Sequence, residues 1–297
     1  MSNNAFMFAN KTASDWIKAG VGFTLNTLAL GSSKWAGQLA WNIFSKPRTA
    51  KRLEHDQAFI GSAETHLLSW NSLSIRYYLW PAAGPLVLLA HGWESNASRW
   101  KPLITQLREA GYAVLAPDAP AHGASEGVYF NAAMYAEVLK ELVQRYPADS
   151  WIGHSAGGMA AIYLAYKYPK FTPDRLALLG VPADLERLLT YYQRTLGLSQ
   201  RTLDAMRAQF QATFQTEVSD FSMPRFLEQI STPNGLILHD YDDDIAPVAG
   251  ALEMHACWKT SSLVLTHGLG HSLKDDSVTR RILDWLAGGS GQNYPTM

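Results

Sequence analysis

The sequence predicts an α/β domain: a largely parallel sheet covered by helices on both faces. Three observations carry that expectation. Short apolar runs recur from about residue 65 onward, and helical segments separate most of them. One run, Trp151-Ile152-Gly153-His154-Ser155-Ala156-Gly157-Gly158, places a serine between glycines where an alanine-rich helical segment begins. Strands that alternate with helices favour a parallel sheet, since the helices supply the crossovers.

Residues 1–60 precede this pattern and read as a helical arm. A helix is expected from about Ser14 to Leu28, and a second over 34–45, ending before Pro47. In the second, Lys34, Gln38, Asn42 and Ser45 share one face, while Trp35, Leu39, Ile43 and Phe44 gather on the other. The favoured reading is an arm packed on its own core. The competing reading takes Lys46, Arg48, Lys51 and Arg52, beside exposed tryptophans, as a membrane-surface or partner contact.

The alternating segment Leu73–Leu79 predicts a strand near a sheet edge. Leu86–Ala90, Ala113–Ala116, Trp151–Gly153, Leu176–Leu179, Leu236–Leu238 and Leu263–Leu265 have the continuous apolar character of buried strands. Helices are expected over roughly 99–110, 130–145, 156–168, 247–257 and 275–286. Between 183 and 230 two helices, Leu185–Tyr192 and Ser199–Phe214, with a short third near Arg225, replace a single crossover and read as a lid. The core is therefore assigned to 61–182 and 231–288, and the glycine-rich end, 289–297, to a flexible tail.

Composition narrows the function. A chain of 297 residues, 47% hydrophobic, is long enough for one substantial core with additions. The net charge of −1 offers no overall field for nucleic acid, and no Lys/Arg run is interleaved with aromatics. A single cysteine, Cys257, excludes an intrachain disulfide framework, and the first residues lack a secretory signal pattern, so the cytoplasm is the expected compartment. The uncharged run Ala19–Ser33 is too short and too polar to span a bilayer.

The chemistry centres on Ser155. A serine between glycines at a strand-to-helix turn has the G-x-S-x-G pattern of a nucleophile elbow, in which a strained turn exposes Oγ above the helix N-terminus. A serine hydroxyl is a poor nucleophile without a base, so a histidine and an orienting carboxylate are expected downstream. The run Leu236–Leu238 leads into His239-Asp240-Tyr241-Asp242-Asp243-Asp244-Ile245-Ala246-Pro247, and Leu263–Leu265 into His267-Gly268-Leu269-Gly270-His271. The acidic run lacks the spacing of a calcium loop, and neither metal nor cofactor is expected.

With His91-Gly92-Trp93 and Asp118-Ala-Pro-Ala-His122-Gly123-Ala-Ser125, these motifs resemble the α/β-hydrolase superfamily of serine hydrolases, from Leu67 to about Leu286. The resemblance implies an eight-stranded, mostly parallel sheet with a helical lid, and catalysis by Ser155, Asp243 and His271. It selects Asp243 because the family's acid stands four positions before a proline, here Pro247; Asp242 and Asp244 are the rivals. His271 is preferred to His267 because Gly-Leu-Gly lets the later histidine swing toward Ser155. The backbone N–H groups of Trp93 and Ala156 are the implied oxyanion donors, and His91, His154 and Asp118 the supporting residues that hold the surrounding loops. Serine at the elbow argues against dehalogenase-like and epoxide-hydrolase-like chemistry, whose members carry aspartate there.

Trp93, Tyr129, Phe130, Met159, Tyr191, Phe210 and Phe214 are the candidate pocket residues, although aromatics at helical spacing are commonly core. Arg194, Arg201 and Arg207 are most simply a solvated face. The expected activity is cleavage of a small-molecule carboxylic ester through an acyl-enzyme. The alternatives are thioester or C–C hydrolysis or cofactor-free perhydrolysis by the same residues and, from a different class, a non-catalytic membrane-associated binding protein. Nothing in the sequence fixes the oligomeric state.

Overall fold

The computed structural model describes residues 12–48 and 56–288. Lys51, Arg52 and the tail 289–297 lie outside the described residues. In chain order come α1 (Ala13–Gly31), α2 (Ser33–Ser45) and α3 (Gln57–Ile60), then the hairpin β1 (Glu64–Trp70) and β2 (Leu73–Trp80). The alternating portion follows as β3 (Leu86–Ala90), α4 (Lys101–Glu109), β4 (Ala113–Pro117), α5 (Ala132–Arg145), β5 (Ser150–His154), α6 (Ala156–Lys167) and β6 (Arg175–Leu179). Next are the inserted helices α7 (Leu185–Leu196), α8 (Gln200–Phe214) and α9 (Met223–Leu227), and last β7 (Asn234–Asp240), α10 (Val248–Cys257), β8 (Ser261–Thr266) and α11 (Asp276–Leu286).

Cα packing divides the chain into two compact units, one of Met1–Phe44 with Leu189–Val218, the other of Ser45–Leu188 with Ser219–Met297. The larger carries an eight-stranded sheet in the order β1-β2-β4-β3-β5-β6-β7-β8. β1 and β2 are antiparallel to each other and β2 to β4, while every pair from β4 to β8 is parallel. Alternate residues of the central strands feed two cores. Leu88, Leu115, Trp151, Leu176 and Leu178 pack with buried residues of α5, α6, α9 and α10. Val87, Leu89, Val114, Ile152, Ala177 and Leu179 pack with Leu103, Ile104, Leu107, Val278, Ile282 and Trp285 from α4 and α11. Burial on both faces is why these strands appear in the sequence as continuous apolar runs.

β1 was not among the strands read from the sequence. Its burial alternates, with His66, Leu68 and Trp70 inward, but Leu67 on the exposed face and His66 on the inner one break the apolar alternation in ETHLLSW. Its hairpin turns through Asn71 and Ser72, with φ of 45° and 63°. Such a turn favours Asn-Gly, and the serine hides the usual signal.

The start of α7 and α9 belong to the larger unit, where the chain segments around 183–185 and 221–223 pair. There the Leu185 amide donates to Phe221 O at 3.2 Å and the Met223 amide to Ala183 O at 2.7 Å. Arg187, at the start of α7, forks onto Glu253 with two 2.7 Å bonds.

In the smaller unit α1 and α2 pack with the end of α7 and with α8. A Thr12–Asp15 capping box starts α1. Asn26 Nδ2 donates to Gly197 O at 2.9 Å, and its Oδ1 accepts from the Ser199 amide at 2.7 Å and the Thr202 hydroxyl at 2.9 Å. Gly22 and Gly37 let backbones touch: a Cβ at either would stand 1.7 Å from Leu196 O or 2.3 Å from Ala205 O. That close approach turns α2 from its expected orientation: Lys34 and Gln38 stay exposed and Ile43 and Phe44 half-buried, but a third face is the buried one. Its buried face is Ala36, Gly37, Ala40 and Trp41, small enough to admit α8, whereas Trp35 and Leu39 face solvent at 68% and 39% exposure. Trp41 meets Phe210 and Phe214 edge-on at 5.5 and 6.1 Å. No described helix is long and apolar enough to cross a membrane.

Two glycines of α1 should respond oppositely to substitution. Gly22→Leu collides with the Leu196 carbonyl and should destabilise the protein by about 1–3 kcal/mol. Gly20→Ala meets nothing within 4 Å and should stabilise by up to about 1 kcal/mol. Urea unfolding followed by circular dichroism measures both, and equal effects would contradict the packing.

Candidate active site

The site is built at the carboxyl ends of β3, β5, β7 and β8. Ser155 follows β5 with φ 51° and ψ −126°, a conformation sparsely populated by residues with a Cβ. Such a backbone costs on the order of 1–3 kcal/mol and persists only where its surroundings enforce it. Here they do. The Ser155 amide donates to Leu179 O at 2.9 Å, and its carbonyl accepts from the Gly158 and Met159 amides. α6 lies so near β5 and β3 that a Cβ on Gly153 would stand 2.5 Å from Gly158 Cα, and one on Gly157 2.3 Å from Ala90 O.

The Ser155 hydroxyl lies 2.9 Å from His271 Nε2, and His271 Nδ1 lies 2.8 Å from Asp243 Oδ2. With Nδ1–H donating to the carboxylate, Nε2 is left to accept the serine proton. Asp243 is wholly buried, and its Oδ1 accepts from the amides of Ile245 at 3.0 Å and Ala246 at 2.8 Å. The neighbouring acids hold the loop instead. Asp240 accepts from the Thr266 hydroxyl at 2.6 Å and the Leu269 amide at 3.1 Å, and Asp242 accepts from the Gly268 amide at 2.8 Å. Burial raises the Asp240 pKa, but these donors outweigh it and hold the carboxyl below its ordinary range. His267 stacks on Tyr241 at 4.5 Å, so it is His271 that reaches the serine. Among the described residues no group of three or more His, Cys, Asp or Glu is arranged to hold a metal ion.

Asp118 and two histidines shape the loop after β3. Asp118, fully buried, accepts from the Ala97 amide at 2.9 Å, the Ala124 amide at 2.9 Å and the Tyr78 hydroxyl at 3.1 Å. His91 Nε2 accepts from the Ala119 amide, and its Nδ1–H donates to Gly92 O. His122 Nε2 accepts from the Glu94 amide, and its Nδ1–H donates to Pro120 O. Each ring thus uses one nitrogen as acceptor, which requires the neutral form. Burial pushes His91 down to about 3 and lowers His122 as well. Gly92 packs directly on the elbow: a Cβ there would stand 2.8 Å from both His154 Nδ1 and Ser155 Cβ. Trp93 follows, and Ala156 opens α6, where a first-turn N–H has no partner within the helix.

His154 ties the elbow to the histidine loop. Its Nε2–H donates to the backbone carbonyl of His271 at 2.9 Å, and its Nδ1 is buried without a partner among the described residues. Burial holds its pKa well below the ordinary histidine value.

Other neighbours escaped the sequence reading. His239 Nε2–H donates to Ala246 O at 2.6 Å and lies 3.5 Å from Asp243 Oδ2. The only trace of this in the sequence is its place four residues before Asp243. Arg99 donates to Ser272 O at 2.9 Å beside the histidine, and burial lowers its pKa to about 10. Gly180, at φ 54°, would put a Cβ 3.1 Å from His271 O.

The candidate pocket residues divide between the units. Phe130 and Met159 are buried in the main core, the Phe130 ring 5.7 Å from that of Trp93, while Tyr129 is 43% exposed. Tyr191, Phe210 and Phe214 belong to the smaller unit, where the two phenylalanines pack on Trp41. Arg207 there pairs with Asp204, and Arg201 donates to Ser33 Oγ.

A family defined by the alpha/beta hydrolase fold matches residues 85–270, which include β3, the elbow and the loops carrying Asp243 and His271. The chain belongs to the alpha/beta hydrolase fold family. Within that family it is 30% identical over 155 residues to a pimeloyl-[acyl-carrier protein] methyl ester esterase of Neisseria meningitidis, covering 52% of this chain and 56% of the relative. The corresponding Vibrio vulnificus esterase is 26% identical over 139 residues, covering 46% and 51%. The chain thus spans about half the length of these curated relatives. An esterase from Exiguobacterium antarcticum superposes with a TM-score of 0.58 over 75% of this chain and all of its own, at 16% identity, a likeness of fold.

Four buried histidines of this hydrolase fold, His91, His122, His154 and His239, are held neutral chiefly by burial. Once unfolded, each takes a proton near its ordinary value of 6.5. The unfolded chain therefore binds more protons than the native one, and stability must fall as pH drops below 6.5. Each histidine contributes a slope of up to about 1.4 kcal/mol per pH unit. Urea midpoints should already fall between pH 6.5 and the glutamate range near 4.5. A flat profile across that window would contradict neutral burial.

Proposed function

We propose that the chain is a serine hydrolase that cleaves carboxylic esters through an acyl-enzyme. The relay Ser155–His271–Asp243, with contacts of 2.9 and 2.8 Å, carries this reading. In the proposed mechanism Ser155 Oγ attacks the ester carbonyl as its proton passes to His271 Nε2. The buried Asp243 carboxylate holds Nδ1–H and stabilises the imidazolium. The carbonyl oxygen, now negative, is received by the N–H groups of Trp93 and Ala156. Collapse expels the alcohol, which takes the proton from His271. Water then repeats the sequence on the acyl-serine, releasing the carboxylic acid and restoring the hydroxyl.

The two curated relatives named as methyl ester esterases support an ester rather than an amide as substrate. The proposed class is an uncharged ester of short to medium acyl length, which suits the apolar Trp93 beside the elbow. Arrangement and charge state both serve this chemistry. Neutral His91 and His122 fix the donor loop without placing a cation beside the developing oxyanion, so backbone dipoles alone would receive it.

Hydrolysis of p-nitrophenyl esters graded by acyl length tests the proposal. Ser155→Ala and His271→Ala should each lower kcat on the order of 10⁶-fold, and Asp243→Asn by about 10⁴-fold. Trp93→Ala should change the preferred acyl length more than kcat, since the proposed donor is a backbone amide. Activity of Ser155→Ala within tenfold of wild type, roughly 1.4 kcal/mol of barrier, would overturn the mechanism.

A further inference from the structure

Six large apolar side chains of α1 and α2 face solvent: Trp16 at 66%, Ile17 at 67%, Phe23 at 74%, Leu30 at 73%, Trp35 at 68% and Leu39 at 39%. On α1, Trp16, Phe23 and Leu30 recur every seventh residue and so form one stripe. The opposite face, Gly22, Leu25 and Ala29, is the buried one. These helices therefore carry two apolar faces, and packing within the unit accounts for only one. An open groove of about 530 Å³ beside the stripe is lined by Phe23, Thr24, Thr27, Leu28, Gly31 and Ser32, none of them charged. Scattered exposed apolar residues are ordinary in soluble proteins, but six on two successive helices, two of them tryptophans, mark a contact surface.

Charge identifies the occupant. The first 52 residues hold seven of the chain's 25 Lys and Arg but one of its 26 Asp and Glu. The chain as a whole is nearly neutral, so this part of the sequence holds an excess of positive charge, with Lys18 and Lys34 on α1 and α2 themselves and Lys46 just after α2. No charged residue lies between Lys18 and Lys34, so the cations bracket an uncharged stretch.

We propose that α1 and α2 lie in the surface of an anionic lipid bilayer. Trp16, Phe23, Leu30 and Trp35 enter the boundary between head groups and acyl chains, and the flanking lysines meet anionic phosphates. Tryptophan suits this boundary because its ring is apolar and its N–H is polar. The helices lie in the interface and do not span it, in keeping with the absence of a spanning helix among the described residues. A bilayer also fits this surface better than a folded partner does. The exposed side chains run along two successive helices from Trp16 to Leu39, which fluid lipid can follow without a matching shape.

Flotation of the full chain through a sucrose gradient tests this, with vesicles of phosphatidylcholine mixed with phosphatidylglycerol against phosphatidylcholine alone. Wild type should float with the anionic vesicles, and less at high salt. The combined variant Trp16→Gln, Phe23→Gln, Leu30→Gln and Trp35→Gln changes only exposed positions and uses a good helix former. It should keep its circular dichroism spectrum and lose at least about tenfold in vesicle partitioning. The proposal is overturned if wild type stays unbound, or if the folded variant floats equally well. It is also overturned if sedimentation shows a wild-type dimer that the variant lacks while neither floats, since the face would then serve a second copy. None of these readouts depends on ester hydrolysis.

Discussion

The larger unit is organised around how closely α6 approaches β5 and β3. At a normal helix-to-sheet distance, Ser155 would have no reason to take φ 51°; here the turn is closed by hydrogen bonds to Leu179, Gly158 and Met159. Gly153, Gly157 and Gly158 permit the contact because a Cβ on any of them would stand within 2.6 Å of a neighbour. Gly92 extends the same constraint to the loop after β3, which rests on Ser155 Cβ and His154. The strain at one residue is thus sustained by contacts from β3, β5, β6 and α6. Any relaxation of the elbow would also displace the proposed oxyanion donors.

Around that turn, buried polar groups set the loops. Asp118 gathers two amides and a tyrosine hydroxyl, and neutral His91 and His122 accept amides from separate parts of the same loop system. An unpaired amide buried in this region would cost about 1–3 kcal/mol, comparable with the strain the serine carries. Asp240 and Asp242 do the same for the glycine-rich loop that presents His271. His154 then spans the two systems, its donor reaching a carbonyl 117 residues away. The acidic cluster and the histidines are therefore chiefly architectural, and the proposed chemistry uses one member of each.

What could be read from the sequence follows from what leaves a local pattern. Strands buried on both faces, such as Leu86–Ala90, stand out as apolar runs, and the elbow stands out because its geometry demands particular residues at fixed spacing. Pro247 gave the register that picks Asp243 from its neighbours, and the carboxylate meets His271. β1 was hidden because Leu67 stands on its wet face and His66 on its inner one, and its turn lacks glycine. Trp35 and Leu39 of α2 were misplaced because apolar size was taken for burial. Close packing against α8 selected alanine and glycine, leaving Trp35 outward. The contacts of His154, His239 and Arg99 join residues far apart in sequence or depend on a backbone carbonyl, and neither leaves a local trace.

Intact-mass spectrometry after treatment with a fluorophosphonate probe asks whether the strained serine is an activated nucleophile, whatever the natural substrate. Wild type should carry one phosphonyl adduct, mapped to Ser155, with none on Ser155→Ala and strongly slowed labelling of His271→Ala. Folded wild-type protein that remains unlabelled, or an adduct that persists in Ser155→Ala, would contradict an activated Ser155.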